Sequence, residues 1–211
     1  MVNLHEKYEF QNIQAEVSEV DTFTPQRYKQ FFNFFPKSTQ KVLDMGCANG
    51  RGGECLAQFD PSLDLYGFDC VQERLNILPK CYSKGIYGLS NSITIEDKFF
   101  DVIIAGEFIQ SLYPSDVDAT LSEFQRILKV GGRLLITTPN PHCIRNRIDG
   151  ISLYSHNAQL SKHFPNILRL RLLMHGFSRV KIYGSGKMSK YFGWYFPLIP
   201  VYGSYLIFAD K

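Results

Sequence analysis

Asp44, Gly46, Ala48 and Gly50 stand at alternate positions directly after the apolar pair Val42-Leu43. The run suits a buried parallel strand, and small residues then let the backbone turn tightly against a ligand. Arg51 to Gln58 reads as the first turns of a helix. Strand, small-residue turn and helix together offer a helix N-terminus to a nucleotide-like ligand. The spacing Asp-x-Gly-x-Ala-x-Gly departs from the dinucleotide fingerprint G-x-G-x-x-G. A carboxylate inside the turn also disfavours a pyrophosphate and welcomes a cation, such as the ammonium of an amino acid. A strand-turn-helix with no ligand is the alternative.

Two further carboxylates fall at strand ends. Asp69 closes the stretch Leu63 to Asp69, about twenty residues past the glycine turn, where an acidic residue accepts hydrogen bonds from ribose hydroxyls in nucleotide-binding α/β folds. A helix-capping Asp is the bland alternative. Glu107 follows the apolar stretch Phe99 to Gly106, at the strand end where open α/β sheets bind ligands.

The turn resembles motif I, D/E-x-G-x-G-x-G, of the class I S-adenosylmethionine (SAM)-dependent methyltransferases, with Ala48 in place of the middle glycine. An alanine fits there if its φ is negative and strains the loop if φ is positive. A second block, Arg126-Ile127-Leu128-Lys129-Val130-Gly131-Gly132-Arg133-Leu134, resembles the family's R-x-L-K-P-G-G-x-L, with Val130 in the proline's place. The resemblance implies SAM as cofactor and S-adenosylhomocysteine as product. It implies a cofactor set of Asp44, Gly46, Cys47, Ala48, Gly50, Asp69, Cys70, Ser90, Asn91 and Glu107, with Asp44 towards the methionyl part. Ser90 and Asn91 stand where relatives often carry an Asp beside the adenine. Many relatives continue past the fourth strand with E-x-x-x-H-L, but Ser111 replaces that His, so its role is not inherited. Thr138-Pro139-Asn140-Pro141 resembles methyltransferases of quinone synthesis and of bacterial cell-surface polysaccharides. It is not the N-P-P-Y motif of enzymes that methylate exocyclic amines of bases.

The resemblance implies a three-layer, Rossmann-like α/β fold: a mostly parallel, seven-stranded sheet with a C-terminal antiparallel strand. The pattern of elements agrees. An arm, Met1 to Asp21, precedes a helix opened by Thr24-Pro25 and ended by Pro36, with Thr24 as N-cap. Gln72 to Leu78 reads as a helix and Gly85 to Leu89 as a weak third strand. Pro114 to Lys129 is the clearest helix, with apolar residues at helical spacing, and Val130-Gly131-Gly132 ends it. Arg133 to Pro139 is the fifth strand, Pro165 to His175 a helix, and Ser178 to Tyr183 with Tyr202 to Ala209 a terminal hairpin. One domain is expected over 1-211, with an N-terminal arm and helix at 1-36. Two segments, 140-164 and 184-201, are candidate acceptor-site insertions, the second rich in aromatic residues including Trp194. That aromatic loop reads as a cover on the sheet, a lid on an apolar acceptor, or a membrane-surface contact.

With 211 residues the chain can bury a sizeable core. A net charge of +3 is too weak to argue for nucleic acid. Five cysteines without a C-x-x-C pair argue against a disulfide framework or a zinc site, and no metal is expected. The start, Met1 to Lys7, lacks the apolar core of a signal peptide, and no apolar run is long enough to span a bilayer, so a cytoplasmic protein is expected. Methyl transfer from SAM is an in-line displacement that asks the protein to hold donor and acceptor collinear and dry. For a hydroxyl acceptor a base must take a proton. His142 and Glu107 are the catalytic candidates, with His156 a third by position, and Arg145 and Arg147 could grip an acidic acceptor. The expected function is SAM-dependent methylation, on oxygen, of a small or lipid-linked acceptor. A degenerate methyltransferase-like binding protein and an RNA methyltransferase are the alternatives, the latter lacking a basic stripe.

Overall fold

A computed structural model describes residues 3–14, 23–150 and 159–211. Its centre is a seven-stranded sheet in the order β3-β2-β1-β4-β5-β7-β6. The strands are β1 (Lys41–Met45), β2 (Asp64–Asp69), β3 (Tyr82–Tyr87), β4 (Phe100–Gly106), β5 (Leu128–Pro139), β6 (Ser178–Ser185) and β7 (Ser204–Asp210). β1 to β5 run parallel, and β7 is antiparallel to both β5 and β6. Strand order reverses at the β1–β4 pair, whose register aligns Asp44 with Ile104. That is the switch point at which an open α/β sheet leaves a crevice beyond its strand ends.

Alternation along the strands divides the core into two layers. Leu43 and Met45 of β1 face one side, with Ile103, Ala105, Leu134 and Ile136. That side is covered by Leu121 and Phe124 of α5 (Val117–Ile127), Leu168 and Leu172 of α7 (Pro165–Met174), and Tyr8 of α1 (Leu4–Gln14). Val42 faces the other side, with Val102, Ile104 and Leu135, beneath Tyr28 and Phe31 of α2 (Thr24–Phe32), Leu56 of α3 (Arg51–Phe59) and Leu75 of α4 (Gln72–Asn76). Period-two alternation therefore sends Asp44 into the α2–α3 layer, where it is 1% exposed.

The structure departs from the sequence reading at several boundaries. The N-terminal arm contains the helix α1. Phe23 occupies the N-cap of α2, so Thr24 does not cap it, and the helix ends at Phe32, short of Pro36. The third strand lies at Tyr82–Tyr87, earlier than its apolar signal suggested. α5 stops at Ile127 and β5 begins at Leu128, so Gly131-Gly132 turns inside the strand element instead of ending the helix. The two candidate insertions carry short helices, α6 (Ile144–Ile148) and α8 (Ser189–Phe192), and a 3-10 turn at Ile199–Val201. Among the described residues no helix is long and apolar enough to cross a membrane.

Candidate active site

The turn after β1 is built on left-handed backbone. Gly46 has φ +69, Ala48 φ +48 and Gly50 φ +81. At Gly50, the N-cap of α3, a Cβ would lie 2.4 Å from Pro79 Cδ, so only glycine satisfies both the dihedral and the space. Ala48 therefore falls on the strained side of the condition set by its type, at a cost of about 1–2 kcal/mol. The conformation aims its N–H at Asp69, whose Oδ2 accepts it at 3.0 Å.

Asp44 does not project into open space. Tyr28 Oη donates to its Oδ1 at 2.7 Å and Tyr82 Oη to its Oδ2 at 2.6 Å. Burial pushes its carboxyl up to about 6, against the pull of the two phenols. Neither tyrosine was singled out from the sequence. The signal was the pair Gly52-Gly53: a Cβ at Gly52 would lie 1.9 Å from the Tyr28 ring and one at Gly53 2.3 Å from the Tyr82 ring. The first turn of α3 is hollowed to admit the two rings that clamp the acid.

Asp69 lines a small cleft of about 90 Å³ at the ends of β1, β2 and β4. Its Oδ1 accepts the Val71 N–H at 3.0 Å, and Arg74 Nη1 lies 3.7 Å away. Burial raises its pKa, opposed by Arg74 and the backbone N–H groups. An ionised carboxylate has about four acceptor sites, so the Ala48 and Val71 N–H bonds do not exhaust it. Cys70, Leu89, Ser90, Gly46 and Phe108 line the same cleft, and Ser90 Oγ also bonds Thr120 Oγ1 at 2.9 Å. Helix α1 roofs it. The His5 ring packs 4.6 Å from that of Tyr87, and Tyr8 Oη donates to Asp116 at 2.5 Å and accepts the Tyr113 N–H at 2.9 Å. Arg74 Nη2 donates to the Asn12 carbonyl at 2.5 Å.

A larger cleft of about 790 Å³ opens on the β5–β7 side, within the range of small-molecule sites. Its walls include Gln26 and Arg27 of α2, Ile144 and Arg145 of α6, and Lys187 and Met188 before α8. Among the described residues, Glu107 alone lines both clefts. It leaves β4 with φ +54, which turns its side chain across the strand end. Gln110 Nε2 donates to the Glu107 carbonyl at 2.7 Å and to Oε2 at 3.2 Å, while Arg27 Nη2 lies 3.9 Å from Oε1. A non-glycine residue held in left-handed backbone at a strand exit costs on the order of 1–3 kcal/mol, and such strain concentrates at sites that work.

The other residues named from sequence fall around these clefts. Asp44, Cys47, Ala48 and Gly50 do not line the smaller cleft, and Cys47 Sγ lies against Gly67. Asn91 follows the lining residue Ser90 but does not line the cleft. His142 lines neither cleft. Asn140 Oδ1 takes its backbone N–H at 3.0 Å, and its ring packs on Phe164 at 5.1 Å, at the exposed surface. Trp194 lines neither cleft, and its carbonyl accepts the Gly184 N–H at 2.9 Å. His156 lies outside the described residues.

Residues 20–179 match the family described as "Methyltransferase domain". The chain belongs to this methyltransferase family. Its methyltransferase domain is 26% identical over 131 residues to a fatty-acid O-methyltransferase of Mycolicibacterium smegmatis, covering 60% of this chain and 47% of that protein. It is 29% identical over 115 residues to the mitochondrial ubiquinone biosynthesis O-methyltransferase of Mus musculus, covering 50% of this chain and 30% of that one. The chain thus spans less than half the length of these curated relatives. In fold, a SAM-dependent methyltransferase from Archaeoglobus fulgidus superposes with a TM-score of 0.70 at 20% identity, covering 89% of this chain and 92% of that one.

SAM is the cofactor of this methyltransferase domain. The donors and acceptors of the smaller cleft suit it: a carboxylate with spare acceptor capacity, a left-handed small-residue turn, and apolar Leu89 and Phe108. Volume does not yet suit it, because a ligand of that size needs roughly 300 Å³ or more and the cleft under α1 offers about 90 Å³. α1 is the element that roofs the space, through Tyr8 and Asn12.

Proposed function

We propose that the domain transfers a methyl group from SAM to an amphipathic, anionic acceptor, with oxygen as the target. The observation that carries this reading is Glu107, shared by a small cleft lined by Asp69, Arg74 and Ser90 and a large one lined by Ile144, Ile148 and Met188. SAM supplies an electrophilic methyl on a sulfonium when bound. Asp69 and the turn from Gly46 to Gly50 hold it on one side, with Ser90 and Cys70 along the cleft, and Asp44 supplies negative charge behind the turn. The acceptor enters the larger cleft, where Ile144, Ile148 and Met188 offer apolar wall and Arg27, Arg145 and Lys187 offer cations. Where the acceptor atom is a hydroxyl, Glu107 takes its proton at an Oε atom, with Arg27 Nη2 3.9 Å from Oε1. His142 carries no part in this reading, since its ring lies outside the cleft.

The fatty-acid and quinone O-methyltransferases among its relatives support an apolar acceptor and transfer to oxygen. Calorimetry with SAM, followed by transfer of labelled methyl to a panel of long-chain acids, phenols and their uncharged analogues, tests the reading. Tight SAM binding with transfer to the anionic members is expected. A protein that does not bind SAM is the degenerate scaffold instead, and transfer to uncharged analogues alone removes the role of the cations.

A further inference from the structure

Large apolar side chains stand exposed on two segments that contribute to the wall of the wide cleft, α6 and the stretch from Lys187 to Val201. Ile148 of α6 is 78% exposed, Tyr191 of α8 80%, Tyr195 70% and Leu198 57%. A soluble surface rarely gathers such residues without a partner. They are interleaved with cations: Arg145 and Arg147 on α6, Lys187 just before α8 and Lys190 within it, all exposed. From Gly184 to Val201 there is no acidic residue, and on α6 the following Asp149 is engaged by Arg145 at 3.4 Å. α6 and α8 are single-turn helices that flank the cleft mouth. Tyrosines with a polar tip, short apolar helices and unopposed lysines suit the headgroup layer of an anionic bilayer. A face made for a second protein chain would carry fewer lysines at its centre.

We propose that this rim docks the protein on an anionic phospholipid surface, so that the acceptor slides from the bilayer into the cleft without crossing water. The delivery half rests on the reading of the cleft as an acceptor site; the docking half does not. The apolar face of α7 is the natural control: Ile167, Leu170 and Met174 are also exposed, but no residue of α7 lines the cleft, whereas α6 and the segment from Lys187 to Val201 both contribute to its wall.

The test is co-sedimentation of the intact protein with phosphatidylcholine vesicles, with and without phosphatidylglycerol, over a range of salt. Binding is expected only to the anionic vesicles, and should weaken as salt screens the lysines. Lys190→Gln and Arg147→Gln should each weaken it about fivefold, and Tyr191→Glu with Leu198→Glu should remove it. Leu170→Glu should leave it unchanged. SAM calorimetry on each variant, expected within about twofold of the parent, shows that the fold is intact. The proposal is overturned if the parent protein ignores anionic vesicles, or if Leu170→Glu weakens binding as much as the rim variants. It is overturned equally if light scattering shows a dimer that the Tyr191 and Leu198 changes dissociate while vesicle binding is absent. Absence of SAM binding by the parent would instead defeat the methyltransferase reading, and would leave the vesicle result standing.

Discussion

The two clefts that meet at Glu107 are built on opposite plans. On the small side, acceptors already have donors: Asp44 takes two phenols and Asp69 two backbone N–H groups. Its walls are strand ends and a turn in strained backbone, and a helix closes it. On the large side, the walls are short helices and loops, cations stand exposed, and apolar side chains face water. A site that receives one invariant ligand can be pre-organised, because rigid positioning lowers the entropic cost of binding. A site that receives a bulky, mobile ligand must stay open. The strain at Ala48 and Glu107 sits on the rigid side and at the boundary, where packing on every side can hold it.

The sharpest break of this comparison is Glu107→Gln. As the base of the larger cleft, Glu107 should cost on the order of 10²–10⁴ in methyl transfer when lost, with SAM affinity changed only a few-fold. Single-turnover transfer and calorimetry on one preparation separate the two. If affinity collapses while transfer from the bound complex survives, Glu107 belongs to the cofactor side and the boundary must be redrawn.

Next in size is Asp69→Ala. It removes an acceptor from the small cleft and leaves the Ala48 and Val71 N–H groups without their partner. SAM binding should weaken by about 1–3 kcal/mol, with a loss of stability of similar order. Unchanged affinity by calorimetry would remove Asp69 from the cofactor's neighbourhood.

Asp44 adds a dependence on pH. Its carboxyl, raised by burial from 3.8 to about 6, binds protons more tightly folded than unfolded. Its contribution to stability is therefore fully present below pH 3.8 and is lost as pH rises through about 6. Cofactor binding runs the other way, since a cationic ligand favours the ionised acid. SAM affinity should climb with pH up to about 6 and then level, by at most about tenfold per pH unit. Asp44→Asn should flatten that slope, and an unchanged slope in the variant would assign it to another group.

Much of the rigid side was legible in the sequence and little of the open side. Regular spacing marks a turn and its strands, so Asp44 falls on β1, Gly46 and Gly50 on the turn and Asp69 at the end of β2, although of these only Gly46 and Asp69 line the smaller cleft. What spacing cannot convey is a partner distant in the chain. Tyr28 and Tyr82 reach Asp44 from 16 and 38 residues away, and only the glycine pair that makes room for them leaves a trace. His142 follows the fifth strand, as an acceptor-site residue does. Asn140, however, spends its amide on the carbonyls of Ile199 and Tyr202 and turns the chain so that the ring leaves the cleft. The apolar residues of α1 are scattered, which gives its sequence the pattern of an arm; among its described side chains only Tyr8 enters the core.

The smallest expected effect lies at Ala48, and it probes whether the rigid side stores strain for a purpose. With φ +48 the alanine carries a left-handed penalty of about 1–2 kcal/mol. Glycine relieves that penalty, and costs about 0.5–1 kcal/mol through the greater freedom of the unfolded chain. Ala48→Gly should therefore be neutral or stabilising, by up to about 1 kcal/mol in denaturant melts. SAM affinity should stay within a few-fold, because the group that faces Asp69 is the backbone N–H and not the methyl. A large gain in affinity would mean that the methyl intrudes on the cleft and holds it below the size its ligand needs. A loss of affinity without a loss of stability would mean that the alanine keeps the turn shaped for its ligand, with glycine too free to hold the same N–H against Asp69.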